Sequence, residues 1–255
     1  MAESTLSLGY PEFAAAVGRF IGWTGDSDVW LDDEITDIDE VIQTGLRQVY
    51  LPPPVGRKVH QWSWLKPTTT LSTVAAQGDY DLPDDNSGTI GNYLTFPVND
   101  PWSPIEIVGD SQIMAYRSRS ESSGIPKFAA IRPKAGTGTT GQRFEIIFWP
   151  TPDAVYVLSY TYTALQNKVS TASPYPLGGM QYGELFKASC LAEAERKFKK
   201  IRGIMWEDFV TKLASAVSLD EQQSSPKTLG VMHGEDEDPW PIKTYLVKYD
   251  GQTWS

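Results

Sequence analysis

The sequence predicts an α+β fold: a helical bundle formed by N- and C-terminal helices, with an inserted antiparallel β-domain and an extended C-terminal arm. Three observations predict it. The run Phe144–Tyr162 reads as two β-strands joined by a Pro150-Thr-Pro-Asp153 corner. Stretches with helical periodicity stand before and after the β-rich region. The last thirty residues follow neither pattern. The expected organisation is bundle helices over 1–54, the insertion over 55–170, returning helices over 171–223 and an arm over 224–255. At 255 residues the chain can bury a sizeable core, as one domain or two.

The first helix is expected over residues 11–23. Pro11 is tolerated in a first turn, and Phe13, Val17, Phe20 and Ile21 share a face. Gly25 to Asp28 break it. The second helix is marked by Leu31, Ile35, Ile38, Ile42, Val49 and Tyr50, at three- and four-residue steps. Asp32, Asp33, Glu34, Asp37, Asp39 and Glu40 crowd its other side, and the first of them suit the positive end of the helix dipole. A calcium loop needs ligands on a turn with a central glycine, so this run reads as a solvated face. Pro52-Pro53-Pro54 ends the helix.

From 55 to 165, Gly, Pro, Thr and Asp punctuate short apolar runs. Leu71–Val74 and Tyr80–Leu82 flank a turn at Gln77–Asp79, and Ile105–Val108 and Phe128–Ile131 are further strands. In the last strand Tyr156, Leu158, Tyr160 and Tyr162 alternate with Ser159 and Thr161, as a half-buried strand does. Alternation would also put Trp62 and Trp64 on one face of a strand, packed on the bundle or on a neighbour. With Trp102 they are the residues a sugar-stacking platform would use.

Helical periodicity returns over 180–223. Leu185, Ala188, Leu191, Ala192 and Phe198 line a first stretch. Gly203 marks a joint, and Trp206, Phe209, Val210, Leu213, Ala216 and Val217 line a second. Two helices with a short joint can form an antiparallel pair. Beyond Ser224-Ser-Pro226 comes an acidic tether, Glu235–Asp238, and then a partly alternating strand. Trp240, Ile242, Tyr245, Val247, Tyr249 and Trp254 are candidate partner contacts, since strand addition supplies main-chain hydrogen bonds and side-chain pockets. The alternative is that this tail folds back on its own domain.

Composition narrows the function. The chain is 40% apolar and 21% charged, as globular domains are, and nine Trp suit extensive buried surface. A net charge of −10 opposes tight nucleic-acid binding, which needs clustered cations, yet it suits a non-sticking wall near DNA. One cysteine, Cys190, excludes an internal disulfide and reads as a core residue in a helix. There is no signal-peptide pattern and no run of about 18 apolar residues, so a soluble protein made in a reducing cytoplasm is expected.

Catalytic and cofactor motifs are not found. Gly136-Thr-Gly138-Thr-Thr-Gly141 has the dinucleotide spacing, but a strand follows where the mechanism needs a helix. Gly136, Gly138 and Gly141 are therefore expected at a hairpin tip, as a candidate inter-subunit loop. His60 and His233 are isolated and lie in no metal pattern. No catalytic, cofactor or metal residues are assigned, although an acid pair for glycoside hydrolysis has no sequence signature of its own.

Several segments, in order, resemble the head–tail adaptor proteins of tailed bacteriophages (the connector, or tail-tubular, type). They are Gly45–Pro54, Trp62–Leu65, Gly78–Asp84, Ile131–Pro133, Phe148–Ala154, Pro174–Gly179 and Cys190–Glu195, within residues 10–220. The resemblance implies a structural virion protein of the neck, a homo-oligomeric ring (commonly a dodecamer) under the portal protein. Bundles would pack side by side, the β-insertion would face the tail or nozzle proteins, and the arm would reach toward the portal. DNA would pass through the lumen without specific binding, and the protein would be made in the host bacterial cytoplasm. The alternatives are a carbohydrate- or receptor-binding β-module of a phage tail and a hydrolase with an unrecognised carboxylate pair.

Overall fold

The computed structural model describes residues 4–54, 59–98, 100–120, 122–136, 138–224, 247–249 and 252–254. The fold is α+β, with helices at both ends of the main body and sheets between them.

Helix α1 spans Tyr10–Ile21. The Glu12 carboxylate accepts from the Gly9 N–H at 2.9 Å, satisfying one of the first-turn donors. Gly22 ends the helix at φ +91°, a left-handed conformation that glycine adopts without strain. Helix α2 spans Asp32–Tyr50, and Glu34 caps it through the Leu31 N–H at 2.9 Å. Ile38, Val41, Ile42, Gly45, Leu46 and Val49 are its buried positions. Leu31 and Ile35, expected on the same buried line, are exposed. Ile35 stands three residues before Ile38 and seven before Ile42, so it shares their stripe; the stripe is longer than the cover the described residues give it.

Helix α4, Gly183–Ala194, is the centre of the bundle. It packs against α1, α2 and the next helix, α5, Ile204–Ser224. Nine of its twelve residues are buried, which explains why its sequence shows little amphipathic contrast. One π-turn, Glu195–Lys199, and Lys200 at φ +57° make the joint to α5. Gly203 closes it, its N–H donating to the Glu195 carboxylate at 2.8 Å.

The β-region contains two main sheets. Its strands are β1 (Thr68–Ser72), β2 (Asp79–Asp81), β3 (Asn86–Ile90), β4 (Tyr93–Leu94) and β5 (Ile105–Ile107). After helix α3 (Asp110–Arg119) come β6 (Ser123–Gly124), β7 (Phe128–Pro133), β8 (Phe144–Trp149), β9 (Thr151–Pro152) and β10 (Val157–Ala164). A five-stranded sheet has the order β2-β8-β7-β5-β4, and a three-stranded sheet the order β1-β10-β3. The two share one core, in which Tyr80, Ile105, Ile146 and Phe148 of the first meet Leu158, Tyr160 and Tyr162 of the second. The run Phe144–Tyr162 therefore holds two strands of different sheets, and its proline corner carries the chain from one sheet to the other. The expected alternation in the last strand is observed: Leu158, Tyr160, Tyr162 and Ala164 are buried.

Two features depart from an all-antiparallel insertion. Helix α3 interrupts the strands, and it is the crossover that lets β5 and β7 pair in parallel. Short strands β6 and β9 also pair in parallel. Helix α3 buries Ile113 alone, so it offers no periodic stripe to read from sequence. Arg117 fastens it: the guanidinium donates to the Asp79 carboxylate at 2.7 Å and to the carbonyls of Gly78 and Phe148.

Candidate interaction surfaces

Two described groups with chemical potential, Cys190 and the cluster of His60, Ser63 and Asp220, are committed to structure. Cys190 is buried between α4 and α2, and burial pushes its thiol pKa up, so it remains a neutral thiol. His60 Nε2 lies 2.7 Å from Asp220 Oδ2, and Ser63 donates to the same carboxylate through Oγ at 2.5 Å and N–H at 3.1 Å. Ser, His and Asp here suggest a triad by composition only. Both the serine and the histidine end on the carboxylate, whereas a nucleophile needs the hydroxyl to face the imidazole. The cluster is a clasp that ties residues 60–63 to α5. Among the described residues no three His, Cys, Asp or Glu side chains are grouped to hold a metal ion. No helix there is long and apolar enough to cross a membrane. His233 and Glu235–Asp238 lie outside the described residues.

The tryptophan platform is corrected. Trp62 and Trp64 do not alternate along a strand; Ser63–Leu65 is a 3-10 turn. Trp62 is buried in the bundle core, and its indole N–H donates to the Val49 carbonyl at 2.7 Å. Trp64 packs on Tyr182, Tyr50 and Phe186, with ring centroids 5.3, 5.7 and 6.5 Å away. Their faces are filled by protein, which agrees with the core alternative, and only Trp102 of the three is exposed. Leu65 and Val169 join the same bundle core, so the bundle draws on residues just inside both ends of the β-rich region.

Gly136, Gly138 and Gly141 occupy the tip between β7 and β8, which pair from Phe128↔Trp149 to Pro133↔Phe144. All three are exposed, and Gly138 has φ +81°. A strand, not a helix, follows them, so no helix N-terminus is present to hold a phosphate. Salt bridges Lys134–Asp81 and Arg143–Asp84 brace the loop at its base. Near the C-terminal end of the sequence, Val247–Tyr249 (β11) and Gln252–Trp254 (β12) pair antiparallel, in the register Val247↔Trp254. Val247, Tyr249 and Trp254 fall on this ladder, while Trp240, Ile242 and Tyr245 lie outside the described residues.

Two surfaces were not singled out by sequence. One is a cavity of about 510 Å³ where the bundle meets the β-region, lined by Arg47, Tyr50, Trp62, Thr89, Ala164 and Lys168 among others. The other is the end of the bundle where the α1–α2 and α4–α5 connections meet. Trp23 touches both Trp30 and Phe198 there, each at 6.2 Å between centroids. Lys199 lies 4.0 Å over the Phe20 ring, and Arg202 lies 4.3 Å over Trp206. Lys197 reaches Asp37 at 2.9 Å and Glu40 at 2.6 Å. Burial alone would lower the pKa of that amine, but its hydrogen bonds to the two carboxylates outweigh burial and raise it.

A family model described as SU10 adaptor protein matches residues 10–229. The match runs from the first residue of α1 to just beyond α5, through both sheets. No curated protein matches the chain.

Proposed function

The chain belongs to the SU10 adaptor protein family, a family of phage head–tail adaptors, and from that premise we propose that it is one subunit of a ring joining the portal to the tail. The observation that carries the reading is the family match across the bundle and both sheets. In this reading the bundles stand side by side around the ring, which is a dodecamer. The β-region faces the tail or nozzle proteins, and the arm extends to the portal, where Val247, Tyr249 and Trp254 make contacts. The Gly136–Gly141 loop touches the neighbouring subunit. DNA passes through the lumen, and the acidic balance keeps phosphates from sticking. The protein acts in the virion neck, without catalysis, after synthesis in the host bacterial cytoplasm. The committed state of Cys190, His60 and Asp220 supports a role in which shape, not reactivity, is used.

The test is native mass measurement and electron microscopy of the full chain, alone and with its portal protein. Closed rings in either sample are expected. A chain that stays monomeric and never joins portal refutes the proposal.

A further inference from the structure

The end of the bundle carries two exposed lips of opposite charge. On α2 and the turn before it, Val29, Leu31 and Ile35 are 62%, 70% and 38% exposed. Asp28 and Asp32 stand beside them with no ion-pair partner among the described residues. Ile35 continues the buried stripe of α2, so an apolar helix face begins here with nothing among the described residues laid on it. At the α4–α5 joint, Ile201 and Ile204 are 55% and 74% exposed. Five of the 22 Lys and Arg lie within Arg196–Arg202. Arg196 is paired with Glu193 and Lys197 with Asp37 and Glu40, which leaves Lys199, Lys200 and Arg202 without an ion pair among the described residues.

We propose that the α4–α5 turn of one copy docks on the α1–α2 lip of the next, Ile201 and Ile204 covering Leu31 and Ile35 while Lys199 and Lys200 meet Asp28 and Asp32. The occupant follows from charge and level. Outside this turn the chain is more acidic than its net −10, so a second copy offers the opposite charge that the turn lacks. A ring closes through a heterologous contact, in which two different patches meet. Rotation about the ring axis keeps height, so those patches must lie at one level of the subunit. The Lys197 bridge and the Trp23–Phe198 contact hold the two lips at the same end of the bundle. At about 100° per residue, Asp32 stands about 140° round α2 from Asp37, on the other flank of the buried stripe.

The inference rests on the ring reading, and charge reversal separates the two. The variants are K199E/K200E, D28K/D32K, and the chain carrying all four changes, each studied as full chain with portal where wild type needs it. Sedimentation and electron microscopy read assembly, and thermal melting checks the fold. Each pair alone should lower assembly by about tenfold or more, because like charges then face each other. The four-change chain, and an equimolar mixture of the two pair variants, should regain rings. I204S, at an exposed site, should weaken assembly with an unchanged melt. If the pair variants form rings like wild type, the inference is overturned and the ring reading stands. Rings that form but fail to join portal, or pair variants that no combination rescues, overturn it equally. A wild-type chain that never assembles removes the ring reading and this inference with it.

Discussion

At the residue scale, Gly45 and Asp220 join parts of the chain that are distant in sequence. A Cβ on Gly45 would lie 2.8 Å from Cys190 Cα and 2.9 Å from its N, both backbone atoms of α4. Ser189 seals the crossing, its hydroxyl donating to the Gly45 carbonyl at 2.7 Å. Gly45→Ala gains helix propensity but forces the helices apart, and overpacking of this kind costs about 1–3 kcal/mol. Urea unfolding should show that loss; a midpoint equal to wild type would mean that α2 and α4 can separate freely. Asp220 accepts from three donors while almost fully buried. Asp220→Ala strands them and should cost about 1–3 kcal/mol, read by the same unfolding curve. Neither role was legible. Gly45 stood in the sequence only as the start of one segment of the family resemblance, and not as a helix crossing, because its partner is some 145 positions away. Trp62 was legible as a buried aromatic, but not its turn, since strand alternation and a 3-10 turn place large residues at the same two-residue spacing.

At the element scale, legibility followed the width of the buried face. Helix α2 and strand β10 bury repeated positions, and their periods of three to four and of two residues show in the sequence. Helix α3 buries one side chain and is held by the hydrogen bonds of Arg117, which no hydropathy pattern records. The parallel pairing of β5 with β7 follows from that helix, so it was hidden with it. The loop at Gly136–Gly141 was legible because glycines between two strand patterns specify a turn whatever else surrounds them. Its ladder and the salt bridges at its base lie outside the tip. Replacing residues 136–141 with an Asn-Gly turn should therefore leave the sheet folded, read by circular dichroism. In the adaptor reading the same change weakens ring assembly, measured by sedimentation. Normal assembly would remove the loop from the subunit contact.

At the scale of the whole molecule, the two larger cores have separate memberships. The bundle core takes Phe13, Ile38, Trp62, Val169, Phe186 and Phe209 among others, and none of its buried members falls between residues 68 and 164. The β-region core takes all of its members from within those limits. The strands at the two ends of that region pair antiparallel, Thr68 with Thr161, so the chain leaves and re-enters the bundle at neighbouring points. Paired strands lie about 5 Å apart, a gap a few residues can close. Excising 68–164 and joining the ends with a short Gly-Ser linker should then leave a helical protein that unfolds cooperatively, seen by circular dichroism. The clasp from His60 and Ser63 to Asp220 and the Trp62 contact to Val49 survive the excision, since all lie on the bundle side. A chain that loses its helical signal would show that the bundle depends on the sheets for its own fold. A folded bundle that still forms rings would place the subunit contacts in the helices, as the lips at the bundle end require. A folded bundle that stays monomeric would place them in the sheets and count against those lips.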